Sequence, residues 1–455
     1  MSTIKVNKIM PQSGNTTTLD GNLQFGVGFG LRPAVSRIGT TGQQGFGVGV
    51  PSSLPFGFSK MTGSEDITSA NYGNYQYSDG SVMVFIPAFY YKITGLGVDI
   101  KDVGDYGDEA VANAAGYALH RAFKDGGQNH EGFFVDKYQC SNNAGIASSI
   151  KLGLPISTSA AHNPIANLNG ITINQHYSAV DGAKTRGAEF FCTSRFIYAA
   201  LALLSLAHGQ AATAATYCAW YDAAGNTNYP KGCNNNALGD SNDGSLSFIS
   251  DGYSNAAKTG SANNLTKTAH NGQGSGVVDL NGNMLEVSLG LTRPGTTAAE
   301  AINDALGTTA FYVAKTSVRM QDFTSGWNSV GDHWGDATHL ATLFDATDLS
   351  MITNSAGVWQ RFGSGTNQVL DSAASGFGNT LTGLGIYKDA NAKSAGGTNL
   401  FGVDGIYEYW RSNLTVVSGG AWYNGTIAGV WAALLSGYRT SSDGAVGFRS
   451  ACYSV

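Results

Sequence analysis

The sequence predicts an α+β fold in which short strands and long loops outweigh helix. Glycine contributes 62 of the 455 residues and charged residues only 13%, a balance typical of a loop-rich β protein with a neutral polar surface. Hydrophobic residues make up 42%, enough for a buried core, and the 21 Phe, 21 Tyr and 7 Trp argue against disorder. Only residues 193–220 have the composition of a long helix. A chain of this length is expected to form two or three domains.

The first 60 residues predict β structure that depends on other chains. Ile4, Val6 and Ile9 form a short apolar alternation, and "PQSGNTTTLDGN" after them is rich in turn residues. Because such a segment is too small to fold alone, we expect residues 1–30 to form a small β-prism from several copies. Residues 31–60 are Gly-rich, and two interpretations stay open: a linker, or strand edges docked on a neighbouring chain.

Residues 70–93 predict a β-hairpin. "SDG" at 78–80 is the expected turn, and "SVMVFIPAFYYKI" after it is a strong strand pattern. Pro87 lies inside this run and indicates an edge strand or a bulge. A further aromatic strand is expected in "GFFVDKYQCSN" at 132–142.

The helical stretch has Thr193 or Ser194 as its candidate N-cap, and Gly209 is expected to divide it into two helices. Long polar stretches follow at 234–247 and 354–383. They exceed the usual length of connections, which indicates loops that serve function or assembly.

The last forty residues combine Trp and Tyr with small polar residues and almost no charge. In "VGFRSACY" (446–453) the residues alternate with period two, which predicts one strand with one packed face. "GGAW" (419–422) allows close backbone approach at its two glycines and buries Trp422. We therefore expect sheet to hold residues 423–445 at both ends, so that their side chains can vary without unfolding the domain.

Charge and hydropathy exclude several classes of partner. The net charge is −6 and no basic stripe is visible, so no nucleic-acid partner is expected. The first residues lack the apolar region of a secretory signal, and the longest apolar run (198–207) is too short to span a bilayer. We expect a soluble chain made in the cytoplasm, without membrane insertion. The five cysteines are odd in number and lack a CxxC pair, so we expect them to be free, buried and structural.

Four stretches resemble, in the same order, the formylglycine-generating-enzyme-like family, whose domain is a variant of the C-type lectin fold. The resemblance implies a lectin-type domain with long loops at 126–455, after a β-rich intermediate domain at 31–125. The four stretches are "FFVDKYQCSN" (133–142), the helical stretch (193–220), "VVDLNGNMLEVSLG" (277–290) and "VVSGGAWYNG…VGFRSACY" (416–453).

The enzymes of this family carry two cysteines soon after the "GGS" segment. The matching positions here are Asn424 and Gly429, and no cysteine lies between Gly420 and Val446. A thiolate nucleophile or copper ligand cannot be built from Asn and Gly. The formylglycine-generating oxidation is therefore disfavoured, and Cys452, in the closing strand, is expected to be a core residue.

The non-enzymatic branch of the family includes retroelement-diversified proteins such as the phage major tropism determinant. Resemblance to that branch implies a variable ligand-binding segment at 421–450. Tyr offers rigid contact area at small entropic cost, while Ser, Gly and Asn adapt their hydrogen bonds. The alternative is a surface loop with a few buried aromatic residues. The candidate receptor-binding residues, with Trp431 and Arg439 as anchors, are Tyr423, Asn424, Ile427, Trp431, Leu434, Ser436, Tyr438, Arg439, Ser441 and Asp443, together with the small residues Gly437, Gly444 and Ala445.

The opening "STIKVNKIMPQSGNTTTLDGN" resembles the start of phage tail-fibre proteins, and residues 71–93 are similar to stretches found in phage receptor-binding proteins. This resemblance implies a homotrimer in the virion tail fibre, bound to tail or baseplate proteins through its N-terminus. The C-terminal surface would bind a host bacterial receptor, either a protein or a glycan, and the trimer would multiply modest affinities. A polysaccharide-cleaving tailspike is the alternative, although no catalytic carboxylate pair can be named.

Metal sites have limited support in the sequence. Asn283 and Glu286 match the "GNxxE" positions at which the family can hold calcium through oxygen ligands, and the alternative is a turn in which Glu286 hydrogen-bonds backbone. "DSNDGS" (240–245) is interpreted as a turn, since no Glu closes a calcium loop. No other cofactor is expected. A zinc-like spacing that we interpret as a solvated loop is formed by His333, Asp336 and His339.

Overall fold

The computed structural model describes residues 24–25, 31–32, 37–94, 97–224, 228–293, 310–325, 342–348, 358–361, 383–386, 404–409, 411 and 413–454. Within these residues the strands are many and short, and helices are few. The protein therefore has a mostly-β fold of the α+β class.

Short strands dominate both halves of the described chain, and the helices lie in the N-terminal half. The N-terminal half contains β1 (Gln24–Phe25), β2 (Leu31–Arg32), β3 (Phe58–Lys60), β4 (Asn74–Tyr77), β5 (Val82–Pro87), β6 (Phe89–Thr94), β7 (Gly97–Asp102), α1 (Glu109–Ala114), β8 (Ala118–Leu119), β9 (Lys124–Asp125), β10 (Gln128–Asn129), β11 (Gly132–Asp136), β12 (Ser141–Asn143), β13 (Ile146–Ser148), α2 (Ser178–Lys184), β14 (Phe191–Cys192) and α3 (Arg195–Ala211). The C-terminal half contains β15 (Leu285–Ser288), β16 (Leu291–Thr292), β17 (Ala310–Ala314), β18 (Phe344–Asp348), β19 (Val358–Arg361), β20 (Gly405–Glu408), β21 (Val416–Ser418), β22 (Ala433–Leu434), β23 (Val446–Gly447) and β24 (Ser450–Tyr453).

A six-stranded antiparallel sheet has the order β14-β24-β11-β5-β4-β3. Its central strand β11 is buried along its whole length. Because successive side chains point to opposite faces, Phe133 and Val135 join the main core, while Phe134 packs on the other face against Phe85 and Tyr75. Both faces of this sheet are therefore covered.

The division predicted between residues 125 and 126 does not separate two cores. Strand β5 pairs with β11 over five consecutive residue pairs, from Pro87 opposite Gly132 to Met83 opposite Asp136. The main buried core likewise runs through residues from both sides of the predicted boundary. The predicted boundary therefore runs through one sheet, because β5 on one side of it is hydrogen-bonded to β11 on the other. The predicted 1–30 segment lies outside the described residues except for β1.

The hairpin predicted at 70–93 is confirmed in its first part. Strands β4 and β5 pair antiparallel around the turn at 78–80, where Gly80 adopts a φ of 91°. The run after the turn is not one strand, however. Strand β5 ends at Pro87, and β6 then pairs with β7 and β8 in a separate sheet. Pro87 therefore marks the end of a central strand rather than an edge or a bulge, because proline has no N–H to continue the ladder.

Helix α3 is buried all round from Arg195 to Gly209. Ser194 is its N-cap, and the Ser194 hydroxyl accepts a hydrogen bond from the Ile197 amide at 3.3 Å. The predicted division at Gly209 is wrong, since the helix continues to Ala211 and no second helix follows within 212–220. Glycine at 209 allows close packing there, since a Cβ would lie 3.1 Å from the Trp220 ring.

A second six-stranded sheet is mixed and has the order β19-β20-β22-β21-β15-β23. Two of its pairs, β20 with β22 and β15 with β23, are parallel, and the others are antiparallel. The strands on either side of residues 423–445, which we call the C-terminal segment, belong to this mixed sheet.

The five cysteines are free and buried, as expected. Burial raises the pKa of the Cys140 and Cys192 thiols well above the ordinary value and that of Cys218 and Cys233 to about 12. These thiols are therefore protonated at neutral pH and poorly nucleophilic. None of the helices in the described part of the chain has the length and apolarity needed to cross a lipid bilayer.

Lys137 is a buried cation with neutral hydrogen-bond acceptors. Its ammonium donates to the Asn74 side-chain oxygen at 2.6 Å and to the Gly274 carbonyl at 2.5 Å. Burial, with a smaller contribution from Lys151, lowers the pKa of Lys137 from 10.5 to about 7.

Lys137 should make the folded protein more stable as the pH rises above 7. Between pH 7 and 10.5 the unfolded chain keeps this proton while the folded chain releases it, so the free energy of unfolding increases with pH. From pH 7 to 9 the expected rise is about 2 kcal/mol. Denaturant unfolding of the wild type and Lys137→Met at several pH values measures it as the difference between the two pH slopes.

The exposed Lys60, paired with Glu65 at the surface, is the matched control for this experiment. Lys60→Met should leave the pH slope of the wild type unchanged. Equal slopes for the wild type and Lys137→Met would contradict the lowered pKa.

Candidate functional site

The strands on either side of the C-terminal segment both pair with strand β15. Strand β21 pairs antiparallel with one edge of β15, where Ser418 is opposite Glu286, and β23 pairs parallel with β15, where Gly447 is opposite Glu286. The expectation that sheet holds residues 423–445 at both ends is confirmed. Within the segment, β22 also pairs with β20 and β21, so part of it is itself sheet.

The closing stretch "VGFRSACY" forms two strands, not the single predicted one. Strand β23 belongs to the mixed sheet and β24 to the antiparallel sheet, and the chain crosses between them at Phe448 and Arg449. The predicted single packed face is not observed either, since every residue from Val446 to Cys452 is buried, at both sets of alternating positions. The two sheets are therefore joined at the end of the C-terminal segment.

An ion pair lies at this crossing. The Arg449 Nε is 2.9 Å from both carboxylate oxygens of Glu286, and both side chains are almost completely buried. The remaining guanidinium nitrogens donate to the carbonyls of Asp136, Lys137 and Val278. Burial opposes the charge on Arg449, but Glu286 outweighs it and raises the pKa of the guanidinium. Arg449 thus ties β15, β11 and the 277–278 turn together.

The calcium expectation at Asn283 and Glu286 does not fit this geometry. Both Glu286 oxygens accept from Arg449, so a cation there would face a guanidinium. The Asn283 side chain is occupied as well: its oxygen accepts from the Ala257 amide at 2.7 Å and its nitrogen donates to the Gln139 oxygen at 2.8 Å. These residues hold the scaffold instead. "DSNDGS" forms turns, as interpreted, with the Asp240 and Asp243 side chains accepting backbone amides two residues on.

The trio His333, Asp336 and His339 lies outside the described residues, and so does most of 354–400.

Tyr423 is the most exposed aromatic side chain of the C-terminal segment, at 46%. It stands perpendicular to the buried Trp422, with ring centroids 5.4 Å apart, and Trp422 in turn contacts Tyr253. His162 stacks on Tyr253 at 4.2 Å. These rings support Tyr423 from beneath and limit its freedom before any ligand is bound.

We define the Tyr423 surface as Tyr253, Tyr423, Asn424 and Asp443. Asn424 is half-buried and Asp443 is exposed. Partial burial and the nearby Asp443 carboxylate raise the pKa of the Tyr423 phenol, so it is a neutral donor at physiological pH. Tyr253 lies close to Gly444, the neighbour of Asp443: a Cβ at Gly444 would be 3.1 Å from the Tyr253 hydroxyl.

Ile427 ends a half-buried 3₁₀ turn that follows Asn424. Its first residue, Gly425, donates its amide to the Asn234 carbonyl at 2.5 Å. The turn is thereby held against the 234–265 loop, next to the Tyr423 surface.

Leu434, Ser436 and Tyr438 are half-buried and lie in a different environment. The Arg411 guanidinium is 5.1 Å from the Tyr438 ring centroid and donates to the Ser436 carbonyl at 3.0 Å. Leu434, in β22, pairs with Tyr407 of β20. Ser441 is half-buried as well, and its carbonyl accepts from the buried His176 amide. The candidate residues therefore divide between the Tyr423 surface and a second group around Arg411.

Trp431 and Arg439 are not surface anchors, contrary to the expectation, because each is only 1% exposed. The Trp431 amide donates to the Asp404 carboxylate at 2.9 Å, and its carbonyl accepts from Arg195 at 2.7 Å. Arg439 donates through Nε to the Asn413 side chain. Both residues belong to the scaffold beneath the segment.

Residues 156–162 and 234–265 also contact the C-terminal part of the chain, which the sequence did not predict. Asn236 donates its amide to the Trp422 carbonyl at 2.7 Å. Thr158 exchanges hydrogen bonds with the Asp443 backbone, donating at 3.2 Å and accepting at 3.1 Å. The unusual length of the polar loop was the one signal in the sequence, and it did not indicate what the loop contacts.

The positions that match the enzymes' cysteines are unsuited to thiol chemistry. Asn424 uses its side-chain oxygen to accept the Ala421 amide at 2.7 Å. A Cβ at Gly429 would overlap the Asp404 carboxylate, so only glycine fits there. The Tyr423 surface thus offers a phenol, an amide and a carboxylate on a supported backbone, which suits recognition of a ligand. Comparisons with known protein families and with curated proteins find no match to this chain.

Proposed function

We propose that this protein is a phage tail-fibre adhesin that binds a host-cell receptor through the Tyr423 surface. The observation that carries the proposal is an exposed tyrosine on a segment anchored at both ends to β15. Such an arrangement presents a large rigid side chain at small entropic cost.

A lectin-type domain is proposed for the region that contains the segment. The last two of the four stretches that resemble the formylglycine-generating-enzyme-like family, 277–290 and 416–453, are neighbours in space, which supports this assignment. "GNMLE" contributes β15, which lies between the strand before "GGAW" and the strand that opens "VGFR". The Trp422 amide also donates to the Asn283 carbonyl at 3.0 Å.

A binding role is favoured over the oxidation carried out by enzymes of that family. That chemistry requires accessible cysteines, and the five thiols of this chain are buried and protonated at neutral pH.

In the same proposal, the N-terminal region attaches a homotrimer to tail or baseplate proteins. Three copies of the Tyr423 surface would then act together, so weak individual contacts would add up to firm adsorption. Exposed residues such as Tyr423 and Asp443 could be exchanged by a retroelement without loss of the fold, because their side chains are not part of the core.

Replacing Tyr423 by alanine should weaken binding to host cells at least tenfold. The mutation removes the principal exposed contact of the surface, and central aromatic residues of interfaces commonly contribute 2 kcal/mol or more, on the order of a thirtyfold change in affinity. Adsorption of purified protein to host cells, measured with the melting temperature, tests this.

Phe56→Ala is the matched control, since Phe56 is an aromatic side chain 96% exposed and remote in sequence from the segment. It should adsorb as the wild type does. Unchanged adsorption of Tyr423→Ala would refute the assignment of the surface. Release of oligosaccharides from host polysaccharide by the wild type would refute the adhesin in favour of a tailspike.

A further inference from the structure

An open cleft of about 260 Å³ lies away from the C-terminal segment. Three separate parts of the chain build it: Gln44 with residues 68–70, residues 215–219, and residues 266–275. None of its lining residues belongs to the Tyr423 surface or to residues 419–445. The cleft is therefore a separate feature that the proposed adhesin role does not use.

Hydrogen bonds hold the walls of the cleft in place. The Ser275 and Gly274 carbonyls accept from Asn74 at 2.7 Å and from the buried Lys137 at 2.5 Å. On the facing wall, the Ala219 amide donates to the Gly272 carbonyl at 2.9 Å. A site whose walls are fixed before binding loses little conformational entropy when a ligand enters.

Gln273 ties this wall to the N-terminal one. Its side-chain oxygen accepts from the Gly45 amide at 2.8 Å, and its nitrogen donates to the Gln43 carbonyl at 3.1 Å. Glycine at 274 lets the two walls approach closely, because a Cβ there would be 2.9 Å from the Ala70 Cβ.

The lining consists of hydroxyl, amide and small side chains and contains no charged residue. Thr68 and Thr266 each donate their hydroxyl hydrogen within the fold, to Asp66 and Asn264, and keep oxygen lone pairs as acceptors. Half-buried Ser69 accepts from the Asn71 amide at 3.1 Å and keeps its hydroxyl hydrogen as a donor. The cleft thus offers both acceptors and donors to a ligand.

These properties select the class of ligand. A phosphate or other anion would need a cationic or backbone-amide cradle, whereas no charged side chain lines the cleft. A flat apolar ligand would need aromatic or aliphatic walls, and the apolar side chains here are alanines. The volume is slightly below the range of about 300–1,000 Å³ that drug-sized ligands occupy, so a single ring-sized group fits. Uncharged hydroxyl groups around such a ring would pair with Thr68, Ser69 and Thr266.

We propose that this cleft binds one neutral sugar residue. The sugar is either free or the accessible unit of a glycan, because its ring and hydroxyl groups are the same in both. The site is independent of the Tyr423 surface and would give the protein a second, carbohydrate-directed contact.

Saturation-transfer difference NMR on the full chain tests the proposal, with methyl α-glucopyranoside, methyl α-galactopyranoside and N-acetylglucosamine as probes. At least one probe should receive saturation from the wild type. Ala215→Trp fills the cleft from an exposed lining position and should reduce that signal at least fivefold. Ala214→Trp is the matched control, since Ala214 is the exposed neighbour that does not line the cleft, and it should keep the signal.

Absence of saturation transfer to all three probes would overturn the proposal. An unchanged signal in Ala215→Trp, with a wild-type melting temperature, would overturn it too, since binding would then be elsewhere. Competition by purified host polysaccharide would assign the sugar to a glycan, and binding without competition would assign it to a free sugar. Tyr423→Ala should keep the NMR signal, so failure of the adhesin proposal is distinguishable from failure of this one.

Discussion

Arg449→Met is expected to lower the free energy of unfolding by about 3–5 kcal/mol. The mutation leaves the Glu286 carboxylate completely buried without its counter-charge. It also removes the guanidinium hydrogen bonds to the carbonyls of Asp136, Lys137 and Val278. The loss should appear in urea unfolding as a lower midpoint with a similar m-value.

The control is Arg319→Met, which breaks an exposed ion pair with Asp322. It should change the urea midpoint little, because water screens exposed pairs. Replacing both partners, with Arg449→Met and Glu286→Leu together, should recover part of the loss, since no uncompensated charge is then buried. A single Arg449→Met variant as stable as Arg319→Met would show that the buried pair does not hold the two sheets together.

The features that could be predicted from the sequence are those decided within a few residues. The Ser194 cap and the turn at 78–80 were predicted because capping and turn formation depend on neighbouring backbone amides. That sheet holds residues 423–445 at both ends could also be predicted, because the alternation in 446–453 and the two glycines of "GGAW" are local signals.

The features that could not be predicted depend on partners far away in the chain. Strand β5 pairs with β11 across the predicted boundary at 125/126, and nothing local indicates which strands pair. Pro87 stands out in the sequence, but whether it marks an edge or a strand end depends on the neighbouring strands. The contacts of Tyr253 and Asn236 with Trp422 could not be predicted from the sequence either.

Burial within the C-terminal segment was the main uncertainty for the candidate site. Tyr423 is followed by Asn424, Gly425 and Thr426, whereas Trp431 lies in the apolar run "AGVWAALL" (428–435), a local signal of burial that the prediction of an anchor at Trp431 did not use. The structure separates them because β22 carries the chain back into the mixed sheet just after Trp431. Residues 423–427 are exposed or half-buried, whereas Trp431 is buried and its backbone is bonded to Asp404 and Arg195.

This difference leads to opposite expectations for the two residues. Trp431→Ala should lower the free energy of unfolding by about 3–5 kcal/mol, because removing a buried indole leaves a cavity that the surroundings only partly fill. Below its melting temperature, the variant should still adsorb to host cells, since the Tyr423 surface remains. Tyr423→Ala should show the reverse, with nearly unchanged stability and weakened adsorption. Thermal unfolding and adsorption measured on the same preparations give both quantities.

Trp431→Phe provides the control for volume, since it keeps an aromatic ring at the site and should be less destabilising than Trp431→Ala. A graded loss of stability from Trp to Phe to Ala, with adsorption retained at low temperature, is the behaviour of a core residue. If Trp431→Ala were instead as stable as the wild type yet failed to adsorb, Trp431 would be a receptor anchor after all. The centre of the binding surface would then be the region of the C-terminal segment after β22, and not Tyr423.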